Sequence, residues 1–210
     1  MKNLYIVGAG GCGREILNTI LDIHAIQGPR WNIRGFLDDT DDPLKDKPCD
    51  YGVVGSIVDY RPEADDLLVM GIADPAAKRR LGAMLAGRGA VFETIIHPYT
   101  ALGRHNSIGT GSVLFAGFSM TVNVTLGRFV TIIGSGLGHD VTIEDFATIS
   151  GACNIMGKVT VEEEVFIGGN VAVAPGTTIG SRAYVCMGSM VMKDVQPGTK
   201  VMGNPAREIG

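Results

Sequence analysis

The chain is poor in aromatics, at 6%, and has only 9 prolines, 4 cysteines and no excess of basic residues. Each shortage excludes something. Cys12, Cys49, Cys153 and Cys186 form no CxxC pair and share no regular spacing, which excludes a disulfide framework and fits thiols kept reduced in a cytosol. Eighteen Lys and Arg against 22 Asp and Glu leave a net charge of −4, the wrong sign for a nucleic-acid surface. No apolar run reaches the length of a membrane span. The opening MKNLYIVGAGGCGREIL has a short apolar run that breaks into glycines, so it reads as a buried strand and a loop rather than a signal peptide. A cytoplasmic location is expected. Few prolines beside many Val and Ile exclude a collagen and a disordered linker.

Glycine is abundant: 30 of 210 residues, about twice the ordinary share. Its distribution separates two grammars. Up to about residue 97, strand-like and helix-like segments alternate. Leu4 to Val7 is an apolar run ending in GAGGCG, and Arg14 to Ile26 has apolar residues at helical spacing. Ile33 to Leu37 reads as a strand ending at Asp38 and Asp39, followed by a loop past Pro48. Leu67 to Ile72 is another strand, and Asp74-Pro75 opens a helix that stops near Gly87. Val91 to Ile96 is a further strand. This predicts an α/β N-terminal domain over residues 1–97 with a small, Rossmann-like, mostly parallel sheet.

From residue 98 to 210 no helix is predicted and a period of six takes over. Ile143, Ile149, Ile155, Val161, Ile167, Val173, Ile179, Val185 and Val191 recur without a miss. A small or β-branched residue follows four positions after each of the first eight, from Ala147 to Ser189. The period runs upstream through Leu102, Ile108, Leu114, Met120, Leu126 and Ile132, slips by one residue, and resumes at Leu137. Three hexads close one coil of a parallel β-helix, and the span from Leu102 to Met190 makes about five coils.

Among four histidines, His139 stands apart. His24 is expected on a helix surface, His97 in a turn before Pro98, and His105 early in the β-helix. His139 is the third residue of the hexad beginning at Leu137, where a corner lets it leave the prism and meet its neighbour Asp140. From the residues alone, a base steered by Asp140 and a solvated corner His with a turn Asp are about equally open. Gly157 lies eighteen residues on, directly above or below His139 in stacked coils. Gly8-Ala9-Gly10-Gly11-Cys12-Gly13 is a GxGxxG after a strand, weak by itself, with a tight turn or a dinucleotide site as its readings. The cluster Glu162-Glu163-Glu164 is read as a solvated face.

The hexads, with Gly after the aliphatic at Gly109, Gly127, Gly168 and Gly180, and the C-terminal Gly203-Asn204-Pro205-Ala206 resemble the hexapeptide-repeat acyltransferases. GAGGCGREI, GFLDD, the segment 73–79, Ile96-His97-Pro98 and Gly138-His139-Asp140 extend the resemblance to nearly the whole chain. They point to the branch containing sialic acid O-acetyltransferase and the nucleotide-amino-sugar N-acetyltransferases. Members often carry Asn directly before the His, where this chain has Gly138. The resemblance implies a left-handed β-helix, and a homotrimer with active sites between subunits. It implies acetyl-CoA as co-substrate, no metal, no NAD, and a nucleotide-sugar acceptor acetylated on its amino group. Acetylation of a hydroxyl, as on sialic acid, is the alternative that the same motifs allow.

Residue by residue, the resemblance implies His139 as general base supported by Asp140, with direct attack and no covalent intermediate. Gly157 would lie against the acetyl group, with Lys193 and Arg207 near CoA phosphates. Gly8, Gly10, Gly11, Gly13, Asp38, Asp39, Gly71 and Asp74 would line the nucleotide-sugar cleft, with the phosphates at the helix N-terminus. Two other classes fare worse. A hydride-transfer enzyme needs more than a domain of about 97 residues. A β-helix zinc enzyme needs three His ligands, and the repeats supply only His105 and His139. A purely structural repeat protein would leave His139-Asp140 and the N-terminal domain without a role.

Overall fold

A computed structural model describes residues 1–209. β1 (Asn3–Val7), β2 (Asn32–Leu37), β3 (Val53–Gly55) and β4 (Asp66–Met70) form a parallel sheet in the order β3-β2-β1-β4. β3 falls in the segment expected to be loop. Its exposed Val53 and Val54 carry no burial pattern that marks an edge strand. α1 (Gly11–Gln27) starts inside the Gly-rich turn, three residues before the predicted Arg14, because Gly10 is its N-cap. It buries Ile16, Leu17, Ile20 and Ile23 against the sheet. α2 (Pro75–Ala86) begins where Pro and the capping Asp74 predict it. The expected strand Val91 to Ile96 divides. Phe92 makes one bridge to Leu68, and β5 (Ile95–Ile96) already pairs with the β-helix.

The β-helix winds through three faces. The first stacks β5, β8 (Val113–Leu114), β11 (Thr131–Ile132), β14 (Thr148–Ile149), β17 (Phe166–Ile167), β20 (Tyr184–Val185) and β22 (Lys200–Met202), closed by antiparallel β23 (Arg207–Glu208). The second stacks β6 (Ala101–Leu102), β9 (Ser119–Met120), β12 (Gly136–Leu137), β15 (Asn154–Ile155), β18 (Ala172–Val173) and β21 (Met190–Val191). The third stacks β7 (Ser107–Ile108), β10 (Thr125–Leu126), β13 (Thr142–Ile143), β16 (Thr160–Val161) and β19 (Thr178–Ile179). The stack is longer than the expected five coils, because β5 before Leu102 and β22 in the C-terminal segment extend the first face beyond the span from Leu102 to Met190.

The hexad aliphatics from Ile143 to Val191 are all buried, and so are the small partners from Ala147 to Ser189. Leu102 breaks the pattern at 43% exposed, since the first coil has no coil before it to cover its end. The one-residue slip lies in the corner between β11 and β12. Pairing across it spans 17 residues, as Leu137 with Met120, instead of 18, as Leu137 with Ile155. The stack keeps its register by shortening one corner.

The N-terminal domain packs on the first face. Lys78 of α2 is fully buried and donates to Phe129 O (3.0 Å), Thr131 Oγ1 (3.1 Å) and Ala147 O (3.0 Å). Its three N–H donors match three neutral acceptors, and burial pushes its pKa down to about 7. Thr148 Oγ1 donates to Ala73 O at 2.6 Å. Glu163 and Glu164, expected to be merely solvated, both bind Arg79 of α2 at 2.7 Å.

Candidate functional site

The corners after β6, β9, β12, β15 and β18 on the second face turn through left-handed residues. Asn123 (φ 58°), Asp140 (φ 59°) and Lys158 (φ 61°) occupy successive coils of one such corner. His139 precedes Asp140, and the corner turns the two side chains together. Nδ1 of His139 lies 2.8 Å from Oδ2 of Asp140. Both are exposed, with side-chain values of 57% and 43%. The hydrogen bonds from His139 and then Asn123 hold the Asp140 carboxyl below its ordinary range.

Gly157 lies on the neighbouring coil, as the spacing predicts. A Cβ built there would sit 2.5 Å from Nε2 and 2.7 Å from Cε1 of His139, so the imidazole occupies the space a side chain would need. The N–H of Gly157 donates to no protein group among the described residues. At Gly138 a Cβ would fall 2.6 Å from Gly157 N. This glycine permits the close stacking beneath the ring.

Continuing up the same corner, the strand register aligns His139, Gly157, Pro175 and Lys193. Coils stack about 4.8 Å apart, so Lys193 lies roughly 14 Å from His139 along the edge. A cavity of about 640 Å³ at the C-terminal end brings Lys193 and Arg207 together, with Asp194 and Glu208 also on its wall. Arg207 donates to the carbonyl of its neighbour Ala206 at 2.9 Å.

The second site is a cavity of about 780 Å³ in the N-terminal domain, lined by Gly8, Gly10, Gly11, Asp38, Asp39 and Gly71, all of them sequence candidates. Asp38 is the strut of this cleft: Oδ2 accepts from Ala9 N at 2.6 Å and Oδ1 from Thr40 N at 2.7 Å. Burial alone would raise its pKa, but these backbone N–H groups outweigh it and hold the carboxyl low. Asp39 accepts from Ser56 Oγ at 2.6 Å. The first-turn N–H groups of α1 face the cleft beyond Gly10 and Gly11, where a Cβ would meet nothing within 4 Å.

Two candidates do other work. Gly13 does not line the cleft; a Cβ on it would fall on the carbonyl oxygen of Gly8, so its smallness seats α1 on β1. Asp74 caps α2 by accepting from Ala77 N at 2.7 Å, and it faces a separate cavity with Arg182 and Tyr184. The sequence reading missed Arg80, which lines the cleft from α2 and pairs with no carboxylate among the described residues. Its signal was one basic residue in a run of three, Lys78-Arg79-Arg80, that helical spacing alone does not sort.

Two of the other histidines, His24 and His97, are structural, while His105 is exposed at a left-handed corner. His24 is in the last turn of α1, accepts from Trp31 N at 3.3 Å and stacks on its ring, so it is not a bare surface residue. His97 is buried; its Nδ1 accepts from Tyr99 N, which fixes the turn, and Nε2 lies 3.4 Å from Asp22. Among the described residues no cluster of three or more His, Cys, Asp or Glu is placed to hold a metal ion, and no helix is long and apolar enough to cross a membrane.

Fold and site together define a class: an α/β cleft domain with a Gly-rich turn, set on a hexapeptide β-helix with a His-Asp pair at one edge. Comparison with known proteins agrees part by part. Residues 3–85 match the PglD N-terminal domain family, and residues 158–193 match the hexapeptide repeat of succinyl-transferase. The chain is 31% identical over 144 residues to GDP-perosamine N-acetyltransferase of Escherichia coli O157:H7, covering 66% of this chain. It spans 65% of that relative, slightly under two thirds. In fold it is similar to the acetyltransferase domain of PglB from Neisseria gonorrhoeae FA1090, with a TM-score of 0.88 at 24% identity over 100% of both chains. It is also similar to PerB from Caulobacter crescentus in complex with CoA and GDP-perosamine, with a TM-score of 0.86 at 24% identity over 100% of this chain and 98% of that one. In its two matching segments and in its likeness to the Escherichia coli relative, the chain resembles the hexapeptide-repeat sugar acetyltransferases.

Proposed function

We propose that this chain is an acetyl-CoA-dependent N-acetyltransferase that acylates the amino group of a nucleotide-linked amino sugar. The observation that carries the reading is the stacking of the His139 ring, bonded to Asp140, over Gly157, whose N–H donates to no protein group among the described residues. The name of the Escherichia coli relative favours nitrogen over oxygen as the acceptor.

The chemistry follows from those groups. Asp140 accepts the hydrogen bond of the Nδ1 proton of His139, leaving the Nε2 lone pair as base. Nε2 removes a proton from the acceptor amine as its nitrogen bonds to the thioester carbonyl carbon. The N–H of Gly157 donates to the carbonyl oxygen as negative charge develops there. The C–S bond then breaks, and the thiolate of CoA takes the proton held on Nε2. The protein recovers its starting state with no covalent intermediate. Along the same edge, Lys193 and Arg207 supply positive charge about three coils from the reacting carbon, where CoA carries its phosphates. In the other domain, the N-terminus of α1 and Arg80 hold the nucleotide diphosphate, with Asp38 and Asp39 at the base and ribose end.

A homotrimer completes the site. Each chain's own cleft domain packs on the first face, whereas His139 lies at the corner between the second and third faces, across the prism. A neighbouring copy supplies the cleft that meets this corner. A cytoplasmic location goes with this reading, since acetyl-CoA and activated sugars are its substrates.

The test is acetyl-CoA-dependent thiol release over UDP- and GDP-linked amino sugars and free sialic acid. Turnover with one nucleotide-linked amino sugar is expected. Activity on sialic acid alone moves the reading to O-acetylation. Release with none of these acceptors overturns it.

A further inference from the structure

Asp140 is held from a second side. Its Oδ2 meets His139, while Oδ1 accepts from Nδ2 of Asn123 at 3.2 Å. Asn123 occupies the equivalent corner one coil earlier, and the two coils are joined there by Asp140 N donating to Val122 O at 3.0 Å.

We infer that Asn123 is a positioning residue for acetyl transfer: through Asp140 it holds the His139 ring with Nε2 over Gly157. The inference rests on the reading of His139 as the base. A carboxylate on an exposed corner is free to rotate away from the ring, and a single hydrogen bond to another exposed side chain does not stop it. The Asn123 amide fixes the second oxygen. Its backbone takes the left-handed form that Asn tolerates better than most residues and is tied to the preceding coil by Asn123 N donating to Arg104 O at 3.2 Å. An amide donor suits this role better than a cation. It orients the carboxylate without neutralising the charge that must stabilise the imidazolium.

The charged neighbours are few. Lys158 follows Asp140 in the next coil of the corner, and His105 precedes Asn123 in the coil before, also left-handed at φ 62°. Both are exposed. Neither bonds Asp140, so the Asn123 amide is its partner besides His139 among the described residues.

Two variants test this by steady-state kinetics with acetyl-CoA and the accepted nucleotide-sugar. Asn123→Gly keeps the left-handed corner and removes only the amide. It is expected to lower kcat roughly tenfold, with KM for both substrates and Tm close to native. Asn123→Asp sets a second negative charge against Asp140 and is expected to move the acid limb of kcat/KM to higher pH. A residue that merely supports the fold would change Tm and leave the pH profile in place. Native kcat in Asn123→Gly together with a native pH profile in Asn123→Asp overturns the inference. His139→Ala, run beside them, separates the two readings. If it is inactive while both Asn123 variants behave as native, only the role of Asn123 fails. If it retains native kcat, the base itself is wrongly assigned and this inference falls with it.

Discussion

Replacing Gly157 by Ala perturbs the reaction centre without touching a reacting group. The added Cβ would stand 2.5 Å from Nε2, 2.7 Å from Cε1 and 3.0 Å from Cδ2 of His139. Ordinary carbon contacts begin near 3.5 Å, so the ring must withdraw by about 1 Å. It has room to do so, since its side chain is 57% exposed. Gly157 is not among the glycines with positive φ, so Ala fits the backbone. The fold should therefore survive, with Tm within about 2 °C of native. The base does not keep its place. A displacement of about 1 Å typically costs on the order of 100-fold in rate, or roughly 3 kcal/mol of barrier. Initial rates of thiol release should fall by that factor in kcat, with nucleotide-sugar affinity, which the cleft and Arg80 carry, close to native. A Gly157→Ala protein with native kcat would refute the placement of the working base over this glycine.

Further outcomes follow from the packing. Lys78 has its pKa pushed down to about 7 by burial, against an ordinary value of 10.5. Between those values the unfolded chain binds the extra proton, so native stability rises with pH across that window. Urea unfolding at pH 6 and pH 9 should show native protein gaining on the order of 2 kcal/mol relative to Lys78→Met, and an equal gap at both pH values would contradict the burial. Asp38→Asn leaves one acceptor where two backbone N–H groups converge, so nucleotide titration should show affinity lost by roughly tenfold. Because the Asp38 carboxyl is held low, the native cleft should keep its affinity at neutral pH and lose it as pH falls through that depressed value. Gly13→Ala pushes α1 off β1 and should cost about 1–3 kcal/mol by thermal unfolding, with loss of nucleotide binding.

The β-helix was legible because its core is periodic. An aliphatic at every sixth residue suits a three-sided coil and matches neither the helical nor the simple strand period, and the aliphatics from Ile143 to Val191 are all buried. The stacking of Gly157 on His139 followed from the same arithmetic. What escaped the sequence lacks such a period. Lys78 binds two backbone carbonyls and a hydroxyl, and backbone carbonyls carry no side-chain signature. Glu163 and Glu164 looked solvated because their partner Arg79 is more than eighty residues away. Gly13 and Asp74 sit in the right motifs but serve packing and capping, a distinction made only by the direction in which each faces. The corner beside His139 and its pairing with Asp140 followed from the hexad count, but the part played there by Asn123 did not. Asn123, Asp140 and Lys158 share a left-handed backbone that their residue types do not announce.

The most direct test of the account is a single-turnover comparison of native protein and His139→Ala, both saturated with acetyl-CoA and a nucleotide-linked amino sugar, with binding of each substrate measured separately. The account predicts that the variant binds both substrates as native and fails to transfer the acetyl group. Transfer at the native rate by His139→Ala would contradict it.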